Sequence, residues 1–193
     1  KMFVECSHQE AVKEVVGTLK NQGYIVKTEA WASTTLGGYR NNSVWIEDDL
    51  DKWYRDFKFN VANMFLGRNS PWISLHNPEF QTRLDVVGLY YADCEGLPMH
   101  TFFVRKDPTE VALRTVLIEV EHRHSIEEAI KRIKGYPAGK KIIVWTGGDR
   151  GGVLEDIPIT VARNNGFGCY IPKLLKILEE HVREIKERKI TKV

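Results

Sequence analysis

Cysteine is scarce in these 193 residues, and Cys6, Cys94 and Cys169 are far apart, odd in number and without Cys-x-x-Cys spacing. That pattern argues against a disulfide framework or a zinc site and makes a reducing cytoplasm the simplest expectation. Long apolar runs are missing too, since none approaches the roughly 20 residues that span a bilayer. The stretch Lys1 to Cys6 lacks the apolar run and small-residue cleavage site of a secretory leader, so an intracellular location with no membrane partner is expected. Asn41-Asn42-Ser43 fits a glycosylation acceptor, which means little without secretion. Charge of one sign is lacking as well. With 28 Lys and Arg against 26 Asp and Glu the net charge is +2, so binding to a polyanion would rest on a local basic patch. There is no internal repeat and no low-complexity segment. An apolar fraction of 42% suits one globular domain over 1–193, and composition goes no further.

Periodicity supplies the organisation. Val12, Val15, Val16 and Leu19 recur at helical spacing within 8–22, and Asn21-Gln22-Gly23 is a stop signal. Tyr24 to Trp31 reads as a strand. From about 33 to 81 the texture changes, with Gly-Gly and Asn-Asn pairs, an acidic run from Glu47 to Asp51, a helix through Met64 and breakers at Asn69-Ser70-Pro71 and Asn77-Pro78. This stretch reads as an insertion after the first strand. Arg83 to Leu89 is a strand, and Asp93 to Pro98 reads as a hairpin turn into a strand at Thr101 to Val104. Val116 to His122 is a strand followed by a helix from Ser125 to Gly135, then an apolar strand from Lys140 to Trp145. A Gly-rich loop and a segment around Phe167 to Ile171 lead into a terminal helix striped by Leu174, Ile177, Leu178, Val182 and Ile185. The order predicts an α/β fold, a mixed central sheet flanked by helices.

Three acids stand out against this background. Side chains alternate along a strand, so Glu119 and Glu121 share one face while Val116, Ile118 and Val120 share the other. Asp85 lies within its own apolar run and joins them if the strands pair. Carboxylates in apolar strands repel one another unless a positive charge sits among them, and oxygen-only ligands favour Mg²⁺ or Mn²⁺.

The order of elements around these acids resembles the PD-(D/E)XK nuclease superfamily, with its restriction-endonuclease-like fold. Leu19 to Tyr24 looks like that family's helix-to-strand junction, Asp85-Val86-Val87-Gly88 like its first motif and Glu119-Val120-Glu121 like its second. Leu84 stands where a proline is often found, Glu121 replaces the motif lysine as in a restriction-type subset, and Arg132 occupies a position that often carries Gln. Gly166 to Tyr170 looks like a late strand of archaeal and phage members. The resemblance implies a metal-dependent DNA endonuclease, with branched DNA cut by a resolvase-like homodimer as one form. It implies that Asp85 and Glu119 hold the metal, that Glu121 accepts a proton or ligates a second ion, and that Glu10 or Glu14 of the first helix completes the acidic rim. The missing lysine's charge would come from Arg123, Lys131 or Lys134. A non-catalytic nucleic-acid-binding or assembly module on the same fold is the alternative, and an RNA-processing nuclease a third reading.

Other features have plainer explanations. His122 and His124 fall on the face opposite Glu119 and read as packing or exposed residues. Gly147 to Gly152 lacks the Lys-Ser/Thr of a phosphate-binding loop and reads as a connection. The acids from Glu47 to Asp51 suit a helix start. The basic residues from Arg183 to Lys192 are interleaved with Glu184 and Glu187 and read as a solvated helix face. The insertion's tryptophans read as its core, with base stacking or a dimer interface as the alternatives.

Overall fold

The structure is a computed structural model that describes residues 5–33, 50–67 and 81–191. Trp45, Trp72, the acids from Glu47 to Asp49 and the breakers at 69–71 and 77–78 lie outside the described residues.

Helix α1 (His8–Asn21) starts where the Ser7 hydroxyl accepts the backbone N–H of Glu10, and it buries Ala11, Val15 and Leu19. Strand β1 (Tyr24–Ser33) follows, then helix α2 (Leu50–Leu66) and strand β2 (Gln81–Tyr90). A short 3₁₀ turn at Ala92–Cys94 leads to helices α3 (Met99–Arg105) and α4 (Pro108–Arg114). The strand expected at Thr101 to Val104 is therefore a helix. The apolar run Phe102-Phe103 favours a strand locally, but both rings are buried against α2 and the sheet, and tertiary packing overrides the propensity. Strand β3 (Thr115–Glu121), helix α5 (Ile126–Ile133) and strand β4 (Lys140–Trp145) form a β-α-β unit. After it come β5 (Gly152–Leu154), β6 (Ile157–Val161), the short pair β7 (Arg163–Asn164) and β8 (Cys169–Tyr170), and helix α6 (Leu174–Thr191).

Six strands form a mixed sheet in the order β1-β2-β3-β4-β6-β5. The β1-β2, β2-β3 and β5-β6 pairs are antiparallel, while β3-β4 and β4-β6 are parallel. One face carries Leu84, Leu89, Leu117 and Ile143 against Phe57 and Val61 of α2, Phe102 of α3 and Ile126, Ile130 and Ile133 of α5. The other carries Val86, Val116, Ile118 and Val144 against Val15 and Leu19 of α1 and Leu174, Leu178 and Ile185 of α6. Every residue of β3 is buried, as expected for a strand covered on both faces. The predicted α/β class with a mixed sheet flanked by helices holds at this level. No helix among the described residues is long and apolar enough to cross a membrane.

The largest buried charge away from the acids is satisfied internally. Arg114, fully buried, donates to both carboxylate oxygens of Asp93 at 2.7 Å and to Glu110 at 2.8 Å. Cys6 and Cys169 form a disulfide with Cα atoms 5.6 Å apart, and Cys94 is the buried free thiol. This corrects the expectation of unpaired cysteines. The 163-residue separation hides the pairing in sequence, and the expectation of a reducing setting loses that support.

Candidate functional site

The acids gather where the sheet opens. Pairing between β2 and β3 runs from Leu89–Thr115 to Val86–Ile118 and ends there, one step short of Asp85 and Glu119. On the other side of β2, pairing with β1 holds at Val86 and at Leu84 but skips Asp85, opposite which Glu29 takes a left-handed backbone (φ 49°). Side chains bridge the gap. The Asp85 N–H donates to Glu119 Oε1 at 2.9 Å, and the Val120 N–H donates to Asp85 Oδ2 at 2.8 Å. The two acids are thus locked into the backbone by reciprocal bonds, which fixes their position in a way that two free side chains would not be.

Oxygens of Asp85, Glu119 and Glu121 lie within 4.8 Å of one another. Glu119 is 2% exposed, and burial together with the neighbouring Asp85 charge pushes its carboxyl up to about 7, against the downward pull of the Asp85 N–H and Arg132. Glu121 is also raised, first by burial, with Arg132 opposing. The positive charge inside the cluster is Arg132, near the C-terminal end of α5. Its Nε donates to Glu119 Oε2 at 3.1 Å and its Nη2 donates to Glu121 Oε1. From α1, His8 Nε2 stands 3.5 Å from Asp85 Oδ1.

These groups form the floor of an open cavity of about 730 Å³ at the C-terminal end of β3. Arg83, Arg123, His122 and His124 line it as well, so an acidic floor faces basic and imidazole side chains. Carboxyl ends of parallel strands are the usual place for ligand sites in open α/β sheets.

Of the residues singled out in sequence, Asp85, Glu119 and Glu121 come together. Lys131 is exposed and does not line the cavity, and Lys134 points to Glu155 at 3.5 Å. Glu10 and Glu14 do not line it either; His8 is the α1 residue that does. The helical turn explains the first result, because Arg132 lies between the two lysines and faces the sheet while they face outward. His122 and His124, assigned to the opposite face, both line the cavity. The strand ends at Glu121, so alternation no longer sets their direction. His122 Nδ1 also meets the Thr146 hydroxyl at 2.5 Å. Arg132 carried a hint in its place after Glu121, whereas His8 and Arg83 carried no signal that spacing could reveal.

No family model matches the chain, and no curated protein or solved structure is significantly similar to it. Fold and site define it as an α/β domain with an acidic cluster at the end of a central strand.

Proposed function

We propose that this chain has the restriction-endonuclease-like fold and is a divalent-metal-dependent endonuclease acting on DNA. The observation that carries the proposal is the convergence of Asp85, Glu119 and Glu121 within 4.8 Å in a cavity that Arg83, Arg123 and Arg132 also line, with Arg83 paired to Glu29 at 2.7 Å. The donor set fits a hard cation, since it is all oxygen and three clustered carboxylates share a single arginine, which leaves negative charge for a cation to offset. Asp85, Glu119 and Glu121 would hold Mg²⁺ or Mn²⁺, which when bound supplies Lewis-acid polarisation of a phosphoryl oxygen and acidification of a bound water. Glu121 is the residue that would accept a proton from the attacking water. Arg83 and Arg123 would position the phosphate backbone at the mouth. A homodimer would present two such sites to two strands, which suits branched DNA.

A second reading, a nucleic-acid-binding module without catalysis, is favoured by one observation: Arg132 already pairs with two of the acids without a metal. Labelled duplex, single-stranded and four-way-junction DNA, together with RNA, incubated with Mg²⁺ or Mn²⁺ separates the readings. The endonuclease should cut DNA only with metal, and Asp85→Ala and Glu119→Ala should each reduce the rate about 100-fold or more. Intact DNA binding without cutting in all three proteins establishes the module instead, and preferential cutting of RNA reassigns the substrate.

A further inference from the structure

Two buried carboxylates that ionise side by side need a counter-charge, and in this structure it comes from the protein itself. Arg132 Nε donates to Glu119 and Nη2 donates to Glu121, so the guanidinium engages two of the three acids that the proposed metal site requires. The same carboxylates cannot serve a divalent cation fully while they hold a guanidinium at contact distance, because like charges at that separation repel. Arg132 is also placed to leave. Its side chain is 35% exposed, against 3% for Glu119 and 6% for Glu121, and it lines the cavity that opens over them. It has somewhere to go as well, because a planar guanidinium is well matched to a phosphate group.

We infer that Arg132 is a displaceable counter-ion: it holds Glu119 and Glu121 in the metal-free protein, yields them on cation binding, and turns into the cavity to position the substrate phosphate. The inference rests on the metal-site reading above. Cation and phosphate then help each other, since whichever draws Arg132 away first leaves the site readier for the other. By linkage the factor is the same in both directions. Arg132 acts in this scheme as a positioning residue and as a threshold that offsets part of the site's negative charge when no substrate is near.

The test is calorimetric titration of Mg²⁺ into the unaltered protein, Arg132→Gln and Arg132→Lys, with the Arg132 Nε–H resonance followed in the unaltered protein during the same titration. The Gln variant should bind Mg²⁺ about tenfold more tightly than the unaltered protein. The Lys variant, whose single ammonium cannot span both carboxylates as a fork does, should fall between them. The Nε–H resonance should shift as Mg²⁺ saturates. An unmoved resonance with Mg²⁺ bound makes Arg132 a permanent structural counter-ion and overturns the inference while the metal site stands. Absence of Mg²⁺ binding in both the unaltered protein and the Gln variant overturns the metal reading and this inference with it. Should the Gln variant fail to fold, the resonance and the Lys variant decide the question.

Discussion

His181 of α6 is fully buried, and both of its ring nitrogens are committed. Nε2–H donates to the Leu113 carbonyl at 2.6 Å, which leaves Nδ1 to accept the Tyr24 hydroxyl at 2.7 Å. That arrangement needs a neutral imidazole, and burial lowers its pKa below the ordinary histidine value, with Lys140 adding to the effect and the Leu113 carbonyl and Glu184 opposing it. On acidification the unfolded chain takes up this proton before the folded one does. The contribution to stability is therefore complete above about pH 6.5 and is lost as pH falls from there toward the lowered value, at no more than about 1.4 kcal/mol per pH unit. Thermal melts at about pH 8 and about pH 5.5 should show a steeper loss for the unaltered protein than for His181→Gln. Equal slopes would rule the linkage out. Residues of this kind were opaque in sequence, because a histidine within a helix does not announce that Tyr24 and Leu113, far away along the chain, will close around it. The acids at 85, 119 and 121 were legible for the opposite reason. Charge at positions where a buried strand wants apolar groups stands out without knowledge of the partner. Arg132 falls between the two cases, since its spacing after β3 was visible but its contact depends on α5 folding back along the strand.

Elements that depend on their own periodicity were read correctly: α1, β1, β3, α5, β4 and α6 all lie where apolar spacing put them. The stretch between β2 and β3 was not, because Thr101 to Val104 resembles a strand while α3 and α4 are short helices held by Phe102, Phe103 and Val111 in the core. The Gly-rich loop read from Gly147 to Gly152 runs into β5 (Gly152–Leu154), and β6 (Ile157–Val161) lies in a stretch to which the sequence assigned no element. That loop bears on the site through one glycine. A Cβ on Gly147 would lie 2.6 Å from the Trp145 ring and 2.8 Å from the His122 carbonyl oxygen. The ring has some freedom, but the carbonyl is backbone, and the same strand end is pinned by Thr146 N–H donating to the Glu121 carbonyl at 2.9 Å. Gly147→Ala should therefore push β4 and the β3 terminus apart and cost about 1–3 kcal/mol in urea unfolding. Gly148→Ala, where a Cβ meets nothing within 4 Å but φ is +125°, serves as the comparison for backbone strain alone. If Gly147→Ala leaves both stability and the His122 resonances unchanged, the close approach has no consequence for the rim.

At the scale of the whole molecule, a cross-link ties the segment before α1 to β8 of the small two-stranded sheet. Cys6 precedes the Ser7 cap of α1, Cys169 belongs to β8, and 163 residues separate them. A link across so long a loop restricts the unfolded chain strongly, and stabilisation of about 2–5 kcal/mol follows. It also bears on the site, because the residues next to Cys6 reach into it: His8 contacts Asp85, and Glu5 lies 3.9 Å from His122. The tether therefore serves two ends, global stability and the placing of α1 beside the acids, and the two can be measured apart. Reduction, or Cys6→Ser, should lower the urea midpoint by an amount matching about 3 kcal/mol. It should also move the His8 resonances, while the apolar contacts of β3 and β4 with α5 persist, since neither half of the bridge lies in that layer. Thiol titration of the denatured protein supplies the control: one reactive cysteine, Cys94, without reductant and all three with it. A urea midpoint that does not change on full reduction would show that the cross-link contributes nothing to stability, and that packing of α1 and α6 on the sheet alone holds the N-terminal segment against the site.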